Sequence, residues 1–373
     1  MWNSIPNCGE VNLCARSGPP YQCGRHRAAH PSSTACRPPS AVRRPPSTVQ
    51  ALPRLLPSAR EIRDAAARLT GIATHTPLRH SPALSALAGG DVYLKLECEQ
   101  LTGSFKLRGA FNALSLLTPD ERERGIVAAS AGNHGLGVAE AAQRLGVQAT
   151  ICVPSNAPAV KKEGIARRGA RVLDDAVDYD DAMVRARALA AETGATFVHP
   201  CLGVPLLAGQ GTVASEVLDE LPSMRTLLVC VGGGGLLGGV GALLLSEAPH
   251  VRVIGVQSEH TDAMSRAIEA GHVVEIEYRP TLADGLAGQI DDDALAIGQA
   301  TLESIVTVTE EEIASAIAWL WLAEGIRAEG SGAVCVAALR AGRLRHLAPP
   351  IAAIVSGGNI DEQRLQGILA KAE

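Results

Sequence analysis

One lysine in this chain stands in a setting that suits covalent chemistry. In Ser104-Phe105-Lys106-Leu107-Arg108-Gly109-Ala110, Lys106 falls between an alternating apolar and polar run, Val92 to Glu97, and a helix marked by Phe111, Leu114 and Leu117. An amine at such a strand-to-helix junction can attack a carbonyl as a nucleophile. Taken alone, a lysine more often is solvated or covers apolar surface with its stem. Two further loops and a late strand shift that balance.

The first loop, Ser130-Ala131-Gly132-Asn133-His134-Gly135, follows the apolar run Ile126 to Ala129 and precedes an alanine-rich helix. Its small residues let backbone amides converge at a helix N-terminus, which suits an anion such as a carboxylate. In the second, Gly232-Gly233-Gly234-Gly235-Leu236, the turn after the strand Leu227 to Val231 has no side chains, so consecutive amides can wrap a phosphate. It lacks the lysine and hydroxyl residue of a nucleotide-binding P-loop, and its glycine spacing fits the dinucleotide fingerprint imperfectly. By itself it reads equally as a tight strand-to-helix turn. A late buried-type strand ends in Ser356-Gly357-Gly358-Asn359, where a hydroxyl could meet a ring nitrogen. Amine, carboxylate loop, phosphate loop and hydroxyl together describe a site for pyridoxal 5'-phosphate and an amino acid.

These four motifs, in this order, resemble those of the fold type II pyridoxal-phosphate enzymes, and within them the threonine/serine dehydratase (threonine ammonia-lyase) and serine racemase group. The resemblance covers residues 58 to 373. It implies a tryptophan synthase β-like fold: two three-layer α/β domains with the active site between them. It implies that Lys106 holds the cofactor as a Schiff base next to Phe105, that Asn133 bonds the cofactor's ring hydroxyl, and that Gly232, Gly233, Gly234, Gly235 and Leu236 bind its phosphate. Ser356 would face the pyridine nitrogen. Ser130, Ala131, Gly132 and His134 would frame the substrate carboxylate, and Glu329 would lie near the ring.

A neutral hydroxyl at the ring nitrogen favours β-elimination over transamination. The implied reaction is β-elimination of water from L-threonine or L-serine, followed by hydrolysis of the released enamine to 2-oxobutanoate or pyruvate and ammonia. Relatives that racemise serine carry a second serine where this chain has Ala131, and alanine cannot transfer a proton. A racemase or a dehydratase of another β-hydroxy amino acid is the alternative, followed by a non-catalytic cofactor or amino-acid binder. Relatives that bind a divalent cation have acidic residues at positions matching Gln257 and Ala263. Glu259 and Asp262 are then expected to be solvated, and no metal is expected. The segment His199-Pro200-Cys201-Leu202-Gly203 lacks the acids some dehydratases have there.

The chain has 373 residues, 46% of them hydrophobic, enough for two domains. A net charge of −5 and only 3% aromatic residues disfavour a nucleic-acid partner. Alternating strand and helix patterns after residue 58 predict parallel sheets covered on both faces. Ser58 and Glu61 form a predicted capping box. Residues 58–121 and 200–373 are assigned to a larger cofactor-binding domain and 122–199 to a smaller inserted one. Thr226 to Ser246 has no charged residue, but its glycines make it a core strand, turn and helix rather than a membrane span.

Residues 1–57 are rich in proline, serine and arginine, with Glu10 the only acid, and are expected to be disordered, as a targeting segment or a misassigned start. Cys8, Cys14, Cys23 and Cys36 there lack zinc-site spacing, and the remaining cysteines read as reduced core thiols of a cytoplasmic enzyme. With a short tail after Asn359, no C-terminal regulatory domain is expected. Relatives suggest a homodimer or homotetramer.

Overall fold

The computed structural model describes residues 55–372, so most of the proline- and arginine-rich extension lies outside the described residues. The strands, in chain order, are β1 (Leu78–His80), β2 (Val92–Lys95), β3 (Ile126–Ala129), β4 (Ala149–Pro154), β5 (Arg171–Ala176), β6 (Thr196–Phe197), β7 (Thr226–Cys230), β8 (Arg252–Ser258), β9 (Ser304–Val308) and β10 (Ile351–Ile354). The helices are α1 (Ala59–Leu69), α2 (Pro82–Ala88), α3 (Lys106–Ser115), α4 (Pro119–Arg124), α5 (Asn133–Leu145), α6 (Ala159–Ala166) and α7 (Tyr179–Thr193). They continue with α8 (Val204–Glu220), α9 (Gly235–Glu247), α10 (Ala263–Ala270), α11 (Asp292–Thr301), α12 (Glu310–Glu324), α13 (Gly330–Arg340) and α14 (Glu362–Leu369).

Two sheets result, one of six strands in the order β1-β2-β10-β7-β8-β9 and one of four in the order β5-β4-β3-β6. The second sheet explains why its strands read as unbroken apolar runs. Ile126 and Ala128 of β3 face one core with α3 and α5, whereas Val127 and Ala129 face another lined by Ala182, Ala186 and Ala190 of α7. Both faces are covered, so no position on β3 can be polar. All ladders are parallel except β1 with β2, an antiparallel edge pair too short to announce itself in the sequence. The predicted capping box closes α1: Ser58 N–H donates to Glu61 Oε2 at 2.8 Å and Glu61 N–H to Ser58 Oγ at 3.3 Å.

The polar positions of the β2 run depart from expectation. Alternation would put Lys95 and Glu97 toward water, yet both are fully buried. The apolar-looking stretch from Thr226 is β7, a glycine turn and α9, and among the described residues no helix is long and apolar enough to cross a membrane. The segments after β2, β3, β7 and β10 leave the carboxyl ends of parallel strands, where open α/β sheets place their ligands.

Candidate active site

Strand β2 ends at Lys95, a 3-10 turn occupies Glu97–Glu99, and α3 starts at Lys106. The lysine is therefore presented by a strap of residues rather than by a direct strand-to-helix turn. That strap is stitched to the exit of β10. Phe105 N–H donates to Ser356 O at 3.2 Å, Ser104 pairs with Gly357 in an antiparallel bridge, and Gly358 N–H donates to Gly103 O at 2.9 Å. Lys106 Nζ lies 5.2 Å from the Phe105 ring centroid and donates to the Pro200 carbonyl at 2.9 Å. Helix α5 presses on the same turn, since a Cβ on Gly137 would lie 3.0 Å from Lys106 C.

Behind the lysine, α3 is anchored by charges the sequence reading missed. Buried Arg108 donates to Glu97 through Nε and Nη2 at 2.8 Å each, and to Glu216 through Nη1 at 2.6 Å and Nη2 at 2.9 Å. Lys95 Nζ adds a 2.6 Å ion pair to Glu216. Two planar carboxylates fill the guanidinium fork, the geometry that makes a buried arginine tolerable. The sequence signal was a pair of charges, Lys95 and Glu97, at the end of the alternating run that forms β2 and the turn after it.

Two helix N-termini offer free amides. In the glycine turn Gly234 takes φ +84°, a conformation natural to glycine, and no N–H from Gly232 through Leu236 has a partner among the described residues. Neighbouring loops close on this turn, because a Cβ on Gly233 would sit 2.9 Å from Cys201 Sγ and one on Gly232 would sit 3.0 Å from Leu286 Cα. At the start of α5, Gly132 N–H is taken by Ser130 Oγ at 3.1 Å, while the amides of Asn133, His134 and Gly135 are free among the described residues. Half-buried Ala131 contributes no polar side-chain atom.

The His134 side chain is engaged elsewhere. Its buried ring meets Val198 O through Nε2 at 3.2 Å, and burial followed by the charge of Lys106 depresses its pKa to about 3. The imidazole is neutral, and the main-chain amide is the part that fits an anion. Asn133 has both ends of its amide placed: Nδ2 donates to Glu329 Oε1 at 2.6 Å, and Oδ1 accepts from Asn359 Nδ2 at 2.7 Å. Burial, reinforced by Asp284, pushes Glu329 up to about 7. Ser356 is buried and its hydroxyl donates to Ser331 O at 3.3 Å.

The segment after β8 is tied back to the strand by hydrogen bonds of Gln257. Buried Gln257 donates through Nε2 to Val231 O at 3.0 Å and Thr261 O at 2.7 Å, and accepts from Ser265 N–H at 2.9 Å. Asp262 is paired with Arg266 at 2.8 Å. Among the described residues no group of three or more His, Cys, Asp or Glu could hold a metal.

An amine, two unpartnered helix N-termini and a buried hydroxyl match a molecule with an aldehyde, a phosphate and a ring nitrogen, and leave one terminus for a carboxylate. Residues 69–357 match the family model described as pyridoxal-phosphate dependent enzyme. The L-threonine ammonia-lyase of Thermotoga maritima is 42% identical over 312 residues, which span 83% of this chain and 78% of that protein. The catabolic L-threonine dehydratase of Staphylococcus aureus is 38% identical over 317 residues, 84% of this chain and 92% of its own. The structure of maize serine racemase superposes with a TM-score of 0.79 at 30% identity, covering 85% of this chain and 98% of that one. The chain belongs to the family of pyridoxal-phosphate-dependent enzymes.

Proposed function

We propose that the protein is a threonine/serine ammonia-lyase, which eliminates the β-hydroxyl of L-threonine or L-serine as water and releases an enamine that takes up water again to give 2-oxobutanoate or pyruvate and ammonia. The observation that carries this reading is the stitching of the Lys106 strap to the Ser356 loop, through Phe105 N–H and the Ser104–Gly357 bridge. It fixes the amine relative to a neutral hydroxyl, with α5 packed on the same turn.

Pyridoxal phosphate, when bound, supplies an electron sink that acidifies the Cα proton of an amino acid held by its amine. In the proposed assignment Lys106 would hold the cofactor through its amine, and the same amine, when free, would take the Cα proton. The free amides of Gly232 to Leu236 would hold the phosphate, and those of Asn133, His134 and Gly135, with Ser130, would hold the substrate carboxylate. Asn133 is pinned by Glu329 and Asn359, and its remaining amide hydrogen would serve the ring hydroxyl. Ser356, being neutral, would not hold a ring nitrogen protonated as a carboxylate does, and that would favour release of the β-hydroxyl. Ala131 offers no group to return a proton on the opposite face, which disfavours racemisation.

We assign residues 58–121 and 200–373 to a larger domain and 122–199 to a smaller one, and place the enzyme in the cytoplasm as a homodimer or homotetramer. The test is to incubate the cofactor-loaded protein separately with L-threonine and L-serine and measure 2-oxo acid and ammonia. Equal release of the two products supports the reading. A loaded protein that releases neither overturns the reaction while leaving cofactor binding standing.

A further inference from the structure

The loop that receives the Lys106 amine is folded around one imidazole. Nδ1 of His199 accepts the N–H of Cys201 at 3.1 Å and the N–H of Leu202 at 2.9 Å. A ring nitrogen that accepts two N–H bonds carries no proton, so the ring hydrogen resides on Nε2. Pro200, inside this turn, points its carbonyl at Lys106 Nζ. Cys201, the next residue, backs the glycine turn, because a Cβ on Gly233 or Gly235 would meet it at 2.9 and 3.0 Å respectively. One short turn thus touches the lysine and the phosphate-binding glycines together.

We propose that His199 is a positioning residue: its unprotonated Nδ1 folds the 199–202 turn so that the Pro200 carbonyl receives the Lys106 amine whenever that amine is free, while Cys201 supports the glycine turn. The inference rests on the reading of Lys106 as the lysine that holds the cofactor. The surroundings keep the ring neutral. Burial is the main cause lowering its pKa to about 4, with Arg187 and Lys106 acting in the same direction and Asp291 opposing them. The ring also meets Phe197 in an edge-to-face arrangement at a centroid distance of 6.2 Å, a second contact on its orientation. An amine parked on a carbonyl is ordered before it attacks, and ordering of a reacting group is a large part of a rate.

The chemistry required of residue 199 is an acceptor for the N–H groups two and three residues on. Asparagine supplies such an acceptor in turns, whereas leucine fills similar space and supplies none. The test strips the cofactor from the full-length protein, adds pyridoxal phosphate back and follows the absorbance of the lysine-bound form. His199→Leu is expected to slow recovery by about tenfold, and His199→Asn to stay near the wild-type rate. Recovery at the wild-type rate in His199→Leu overturns the proposal. An independent readout needs no folded variant: in wild-type protein labelled with 15N-histidine, the His199 signal should show a bare Nδ1 and a protonated Nε2. A protonated Nδ1 at neutral pH also overturns it. Lys106→Ala separates this inference from its foundation, since absorbance that returns in that variant removes the lysine reading and the positioning role with it.

Discussion

Asn133 Nδ2 donates a 2.6 Å hydrogen bond to Glu329 Oε1, joining the start of α5 to the N-cap residue of α13. The partner is a buried carboxyl whose pKa rises from 4.5 to about 7, chiefly because burial disfavours its charge. A raised carboxyl pKa means that the unfolded chain releases this proton first. Its contribution to stability is therefore complete below pH 4.5 and disappears as pH rises toward about 7. The loss amounts to about 3 kcal/mol at 1.36 kcal/mol per unit. Glu329→Gln should remove that slope in urea titrations of the cofactor-free protein. A slope unchanged in the variant would assign the pH dependence elsewhere.

The two histidines beside the lysine give the opposite sign. His134 falls from 6.5 to about 3 and His199 from 6.5 to about 4, both mainly through burial. Each contributes stability that is complete above pH 6.5 and disappears as pH falls toward those values. His134→Asn should flatten the acid limb of stability over that window. An acid limb as steep as in the wild type would contradict the neutral, buried ring.

Replacing Arg108 isolates the anchor behind the lysine. Arg108→Met strands Glu97 without a counter-charge, and loss of one partner of a buried pair costs about 4 kcal/mol. Arg108→Lys should also be damaging, because an ammonium cannot engage two carboxylates as a fork does. Chemical denaturation with and without cofactor measures both. A lysine variant as stable as the wild type would show that the bidentate geometry is dispensable.

Ala131 carries the argument against racemisation. Ala131→Ser installs a hydroxyl in the carboxylate loop, and a positioned proton-transfer group contributes about a hundredfold. Chiral analysis of L-serine incubations should therefore show D-serine rising by about that factor. No gain would mean that the position does not face the substrate as assigned.

Much of this site was legible because glycine, lysine and short apolar runs act locally. Gly232 to Gly235 announced a bare turn and Ile126 to Ala129 a short apolar strand, and both are present. The Arg108 anchor was not legible, since its partners Glu97 and Glu216 lie far apart in the chain and meet only when α3, α8 and β2 pack. The resting place of the lysine was also hidden. It is a main-chain carbonyl at Pro200, and carbonyls carry no sequence signature. His134 shows a third limit: its position in the loop was legible, but the direction of its ring depended on the carbonyl of Val198, supplied by another strand's exit.

The central claim is that Lys106 holds the cofactor. The chain offers few competitors, since its only other lysines are Lys95, Lys161, Lys162 and Lys371. Reducing the loaded protein with borohydride fixes the cofactor to its lysine, and peptide mass spectrometry then locates the added mass. The account predicts the label on the peptide containing Lys106 alone, and none in Lys106→Ala. Label on any of the other four, with Lys106 unmodified, would contradict it.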